Sequence, residues 1–459
     1  MKNQAIKEYS INNSHFNNDE KFLNDNNDEI NNLSNTRLIR IIVLGAGFGG
    51  LSAVKNLNKY LKKFGILNKV EIFLIDSNDY HTYTPLLYEV ASTSKSHARN
   101  EILKKIAAIP ISEIVNNKAK TFKAKIIDIK INESLLVTSN LDTFSFDYLL
   151  ISLGSVTDFM SIPGIETHAL ELKSITDALN IRSIIENKLE KNNSRLMRIL
   201  IGGGGSTGVE LAGELERWCT GMRDNGVTAN LWITIIEAND CILKPFNNKF
   251  RKLAEDRLKL IGVNVIVNEK IITVKDNVVI TESGQIIPYD VFIWTAGVKG
   301  PDFLNKIKLN VDSKNRLVVS KFFETQNSIS NIFGENLIYA IGDSSSYINP
   351  KKNHPVASTA HVAIKESKIV AYNIVSNIAD YLGKNKKYKY ISFKPKDYPY
   401  ILPIGGRWAI AKIGYFLISG LSAWAIKYLV ELMYLLSIMK FNKAFAIWFK
   451  GIKLFMNNK

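Results

Sequence analysis

Gly45, Gly47 and Gly50 stand at G-x-G-x-x-G spacing after the apolar run IRIIVL, and Asp76 follows the next apolar run, Val70 to Ile75. Gly203, Gly205 and Gly208 repeat the spacing after MRILIG, and Glu237 follows the run Leu231 to Ile236. Such a set grips a dinucleotide. The first glycine allows a tight turn, the second lets backbone approach a pyrophosphate, and the third brings helix close to strand. The acidic residue accepts from adenosine ribose hydroxyls, and a carboxylate at Glu237 repels a 2′-phosphate, favouring NADH over NADPH there, although Arg251 is near enough in sequence to compensate. Two complete sets imply two dinucleotides on one chain and electrons passing between them. Glu210, early in the second glycine helix, points towards the nicotinamide end or serves only the helix dipole, as Glu214 one turn on also can. His81 and His361 stand alone and are not assigned as bases. No cluster has metal-ligand spacing, so no metal is expected.

These residues need strands and helices to position them. Each glycine set requires a strand before it and a helix after it, whose N-terminal N–H groups face the phosphates. KIIDI and LLVTS suit an antiparallel excursion, and Phe146 to Ser155 reads as a strand leading to Gly154. Strands Val291 to Thr295 and Leu337 to Ile341 lead to Gly297 and to Gly342-Asp343. The fold class is α/β: two Rossmann-like dinucleotide-binding domains, the first interrupted by the second, plus a C-terminal amphipathic helical region. The expected boundaries are a disordered Asn-rich start over 1–37, a first domain over 38–165 and 298–404, a second over 166–297, and a membrane-association region over 405–459.

A length of 459 residues and a hydrophobic content of 46% suit two or three well-cored domains. The net charge of +16 comes without basic blocks interleaved with aromatics, so no nucleic acid is expected, and an anionic membrane surface is the preferred partner. The run Ile413 to Ile426 is uncharged for about 14 residues, too short to span a bilayer. Beyond it, Phe441, Phe445, Trp448, Ile452 and Phe455 share one helical face, with Lys443, Lys450 and Lys453 on another. That pattern fits a helix lying in a membrane interface, or one buried in a core or dimer. Cys219 and Cys241 form no C-x-x-C and suit a reducing compartment.

HTYTPLLYEVAS, LGSVT, SIPG, GVELAGEL, WTAGV and IGD occur in this order from about Ile39 to the C-terminus, and with the two glycine motifs the chain resembles the type II NADH:quinone oxidoreductases. The resemblance implies non-covalent FAD at the first motif and NADH as co-substrate at the second. It implies a cofactor lining of Phe48, Gly49, Ser77, Thr84, Pro85, Leu86, Gly154, Ser206, Thr207, Gly297, Gly342, Asp343 and Ala360, with Gly342-Asp343 at the flavin ribityl–phosphate. It also implies C-terminal helices holding a peripheral, homodimeric protein to the cytoplasmic face of a bacterial inner membrane or a mitochondrial equivalent. Thiol-dependent members of the wider superfamily carry cysteines beside the flavin, which Cys219 and Cys241 do not match. A membrane quinone is therefore the expected acceptor, with a soluble redox protein as the alternative. Where the family has AQ-x-A-x-Q, this chain reads Ala360-His361-Val362-Ala363-Ile364-Lys365. Ala360, His361, Ala363, Ile364 and Lys365 are the expected acceptor pocket; His361 and Lys365 replace the two glutamines, and with Glu210 they are the catalytic candidates. A nucleotide-sensing protein without turnover is the reading from another class.

Overall fold

In the first nucleotide unit, the apolar runs pair as one parallel sheet. Its order is Ile338–Ala340, Tyr148–Ile151, Ile39–Leu44, Val70–Asp76 and Lys120–Lys123. Ile41 to Leu44 and Tyr148 to Ile151 are fully buried, which is why these strands read as unbroken apolar runs rather than alternating ones. The computed structural model describes residues 37–191, 196–224, 230–325, 330–331, 334–335, 338–384 and 389–457; the Asn-rich start lies outside the described residues apart from Arg37. This unit comprises the chain up to Tyr80, Pro110–Ser155 and Lys299–Pro395. The helix Phe48–Phe64 packs along Ala360–Tyr381, with Ser367 Oγ donating to Ser52 Oγ at 2.8 Å and Tyr60 edge-on to Tyr372. Ile126–Lys130, Leu135–Thr138 and Thr143–Ser145 form the expected antiparallel excursion.

The second unit comprises His81–Ile109, Val156–Val298 and Lys396–Lys459. Its parallel sheet runs Leu170–Glu171, Val291–Trp294, Met197–Gly202, Leu231–Ile236 and Asn264–Ile266. Like the first, it carries a three-stranded antiparallel excursion, Ile271–Lys275, Val278–Thr281 and Ile286–Pro288. The duplication therefore includes the excursion as well as the glycine motif.

The C-terminal segment belongs to this second unit. It opens as an antiparallel sheet of Tyr400–Pro403, Ala409–Ile413 and Phe416–Gly420 before the helices Leu421–Ile438 and Phe441–Asn457. The uncharged run Ile413 to Ile426 is thus half strand and half helix, divided at Gly420, whose φ of 83° ends the extended backbone. Leu421–Ile438 is long and apolar enough to cross a membrane (mean hydropathy 1.4), yet its charged residues turn inward: Glu431 is 2% exposed and Lys427 is bonded to Glu89. Its outward face is Leu421, Leu429, Met433 and Leu436. This is the reverse of a water-facing helix, and it describes a helix clamped to protein on one side with apolar surface on the other. In the last helix the expected stripe divides. Phe441 and Phe445 are exposed and stack in line with Phe449, whereas Phe455 is buried and Trp448 turns inward to donate to the Tyr428 carbonyl at 2.7 Å. Lys443, Lys450 and Lys453 are exposed beside the three phenylalanines.

Candidate functional site

The two glycine loops share one hydrogen-bond plan. Gly45 N donates to Ile75 O and Gly203 N to Ile236 O, both at 2.8 Å. Asp76 accepts from Ala46 N at 2.7 Å and from Asn78 N at 2.7 Å; Glu237 accepts from Gly204 N at 2.7 Å and from Asn239 N at 2.8 Å. Each carboxylate braces its loop and retains acceptor capacity for a ribose hydroxyl. Two further residues complete the plan. Ser152 Oγ donates to Leu44 O and Gly45 O, and Thr295 Oγ1 donates to Gly202 O and Gly203 O. Sequence reasoning missed both, because each lies one strand away from the motif it secures.

Backbone geometry requires glycine at the tight positions. Gly45 has φ 94° and a Cβ there would lie 2.4 Å from Ser152 O; Gly203 has φ 110° and its Cβ would lie 2.6 Å from Ala296 Cα. Cβ atoms on Gly50 and Gly208 would fall 1.8 and 2.1 Å from the carbonyl oxygens of Gly45 and Gly203. At Gly47 and Gly205 an added Cβ meets nothing within 4 Å, so those positions border open space at each helix start. Gly47 caps its helix with no side-chain hydrogen bond, leaving that end available to phosphate oxygens. Both loops fit a dinucleotide.

The first unit brings Gly45, Gly47, Phe48, Gly49, Gly50, Asp76, Ser77, Gly154, Gly342, Asp343 and the Ala360–Lys365 stretch into one body. Asp343 accepts from Ser155 Oγ at 2.8 Å, and Ala363 is buried close to Gly49 and Gly342. His361 and Lys365 stand one helical turn apart with exposed side chains, while Ala360 and Ile364 are half-buried. Partial burial and the Lys365 ammonium lower the His361 pKa, so its imidazole is neutral at pH 7. Glu366 was not anticipated from sequence. It is buried beneath this loop, accepts from Gly342 N at 2.7 Å, and has its pKa pushed up to about 7, chiefly by burial.

The second unit holds Gly203, Gly205, Ser206, Thr207, Gly208, Glu210, Glu237 and Gly297, and also Thr84, Pro85 and Leu86. Those three form a turn before the helix Leu87–Ala91, which packs on the second glycine helix, Ser206–Asp224. Glu210 is half-buried and its carboxyl pKa rises to about 8, first through burial and then through Glu89 and Glu214, against the pull of Lys427. It is therefore mostly protonated at neutral pH. Arg251 is held by Cys241 Sγ and Asn248 Oδ1.

Behind Glu210 lies a buried charge cluster that joins Glu214, noted on the same helix, to residues far away in sequence. Glu89 Oε1 accepts from Lys427 Nζ at 2.8 Å and from Tyr428 OH at 3.2 Å; Glu214 pairs with Arg217 at 2.5 Å and accepts from Gly406 N at 3.1 Å. Glu89, Glu214, Arg217, Trp424, Tyr428 and Phe455, charged and aromatic together, line a cleft of about 350 Å³.

Two cradles of one design, each on its own parallel sheet, define the class of two-dinucleotide-binding α/β proteins. Residues 39–367 match the pyridine nucleotide-disulphide oxidoreductases, and the chain belongs to that family. It is 27% identical over 351 residues to the type II NADH:quinone oxidoreductase of Staphylococcus saprophyticus, covering 73% of this chain and 81% of that one. It is 28% identical over 347 residues to the Staphylococcus aureus protein of the same name, with the same coverage. In structure it is similar to NDH2 from Plasmodium falciparum in complex with NADH, with a TM-score of 0.76, 19% identity, and 92% of this chain and 99% of that chain covered.

Proposed function

We propose that this protein is a membrane-surface NADH:quinone oxidoreductase that carries non-covalent FAD and pumps no protons. The observation that supports this most is the matched pair of cradles, with FAD assigned to the Asp76 loop and NADH to the Glu237 loop. Held at these residues, FAD would supply two-electron redox chemistry between NADH and quinone, the overall balance being NADH, a proton and quinone to NAD⁺ and quinol. Asp76 and Glu237 fix the adenosine riboses, and the two helix N-termini take the pyrophosphates. Glu210, holding its proton at neutral pH, orients the nicotinamide end as a neutral donor. Ala360, His361, Ala363, Ile364 and Lys365 border the acceptor; the neutral His361 offers one N–H to a quinone carbonyl, and Lys365 stabilises negative charge developing there. The sequence has two cysteines, Cys219 and Cys241, both in the second unit, so the first unit offers no redox disulfide between cofactor and acceptor.

The outward residues Leu429, Met433, Phe441, Phe445 and Phe449, with lysines beside them, support attachment to an anionic membrane surface. By the same resemblance the protein is a peripheral homodimer on the cytoplasmic face of a bacterial inner membrane or a mitochondrial equivalent.

Anaerobic addition of NADH should bleach the visible flavin bands, and quinone in phosphatidylglycerol-containing vesicles should restore them. Protein without flavin absorbance, or flavin that NADH leaves oxidised, would end this reading. Reoxidation by a ferredoxin-like protein but by no quinone would favour the soluble-acceptor alternative.

A further inference from the structure

Gly342 lies in the left-handed region, at φ 67°, in the turn just past the strand Ile338–Ala340. Its peptide groups are pinned on both sides. Glu366 Oε2 accepts from Gly342 N at 2.7 Å, and Ser345 Oγ donates to Gly342 O at 2.9 Å. Ser344 Oγ donates to Ile341 O at 3.1 Å, and Ile341 N donates to Ile151 O on the neighbouring strand. Asp343, the next residue along, accepts from Ser155 Oγ. Glu366 is 3% exposed, and no cation partners it among the described residues; the charge acting on it is that of Asp343, which repels it. Lys365 and Lys368 on its own helix are exposed, and Lys55 on the packed helix Phe48–Phe64 faces Lys118 and Lys59 instead. A carboxyl so placed favours its neutral form. Burial foremost lifts its pKa to about 7; the Gly342 bond opposes the rise and Asp343 adds to it.

We propose that Glu366 is a positioning residue of the flavin site whose carboxyl takes up a proton from solvent when FAD binds, so that it braces the Gly342 turn without setting a second negative charge beside Asp343. Either form of the carboxyl can accept from Gly342 N, so the brace survives protonation. What differs is charge. An ionised Glu366 is repelled by Asp343 and would be repelled further by the phosphates of the cofactor, whereas the neutral acid is not. Binding therefore raises the carboxyl pKa again, and linkage makes FAD affinity depend on pH. The sign follows. Well below pH 7 the free and loaded proteins both carry the proton and affinity is full. Above pH 7 the free protein has lost it, so binding must recover a proton and affinity falls, until the pH passes the carboxyl pKa of the loaded protein.

This inference rests on assigning the first cradle to FAD, with Gly342-Asp343 at its ribityl–phosphate portion. The test dilutes the flavin-loaded full chain at a series of pH values from about 6 to about 9 and reads released FAD by its fluorescence. The wild-type dissociation constant should rise about tenfold across the series, the effect of one unit of pKa change on binding. Glu366→Gln keeps an acceptor for Gly342 N but cannot titrate, so its constant should vary by less than about twofold, and at about pH 9 it should hold FAD more tightly than the wild type does. Glu366→Ala removes the brace and should weaken binding about fivefold at every pH, the scale of one hydrogen bond. Should that variant fail to fold, the glutamine comparison decides alone. A wild-type constant that is flat across the series overturns the proposal, as does a Glu366→Gln constant that rises in parallel with the wild type. A wild-type chain that holds no flavin at any pH removes the cofactor assignment and the proposal with it, whereas bound flavin with either of the two preceding results overturns the proposal alone.

Discussion

Lys427→Met should destabilise the protein by about 3–5 kcal/mol at pH 8.5, because it strips the cation from a buried set of carboxyls. Lys427 Nζ lies 2.8 Å from Glu89, and both side chains are largely shielded from solvent. The same ammonium opposes the upward pKa shifts of Glu89, Glu210 and Glu431. The sign of the pH dependence follows. Glu431 has an ordinary pKa of 4.5 and reaches about 8 in the fold, mainly through burial, so its favourable contribution is complete below 4.5 and is lost as pH rises through 8. Without Lys427 that loss should steepen. At about pH 5 Glu210 and Glu431, with pKa values of about 8, are neutral, and methionine in place of a buried ammonium should cost far less there. Denaturant melts of both proteins at the two pH values measure the difference. An equal loss at both pH values would show that packing, rather than charge, is what Lys427 provides.

The two glycine loops allow their half-reactions to be separated by a single methyl group each. Gly45→Ala places a Cβ 2.4 Å from Ser152 O at φ 94°, so the purified protein should come out colourless while its far-UV circular dichroism stays that of a folded α/β protein. Gly203→Ala makes the matching intrusion against Ala296 at φ 110°. That protein should remain yellow but respond poorly to NADH, with KM raised about 10–100-fold, as strain of about 1–3 kcal/mol requires. Colour lost in Gly203→Ala and kept in Gly45→Ala would exchange the cofactor assignments of the two loops.

Much of this arrangement was legible because both motifs are local. Strand, glycine turn and helix follow one another in sequence, and a fully buried parallel strand such as Ile39–Leu44 has an unmistakable apolar run. The acidic residues were legible for the same reason, each ending the adjacent strand. Long-range supports were not. Ser152 and Thr295 secure loops in earlier strands, and Glu366 reaches Gly342 from a later helix; no spacing rule connects such pairs. Lys427 stands just past the uncharged run Ile413 to Ile426, and nothing in that position announces it as the inward partner of Glu89. The strand Phe416–Gly420 hid inside what looked like a single helical run, since short apolar strands and helices share a composition. Trp448 and Phe455 fell on the expected apolar face of the last helix, yet packing against the Leu421–Ile438 helix turned them inward and left Phe449 in their place outside.

The inverted polarity of the helix Leu421–Ile438 has a practical side. With Leu429, Met433 and Leu436 outward, and Phe441, Phe445 and Phe449 on the helix that follows, the protein in plain buffer carries an adhesive apolar strip. Attraction between such strips strengthens on warming, because it is driven by water release. Heating without surfactant should therefore raise light scattering before the nucleotide units lose their circular dichroism. A mild non-ionic detergent should remove the scattering and leave the unfolding midpoint in view.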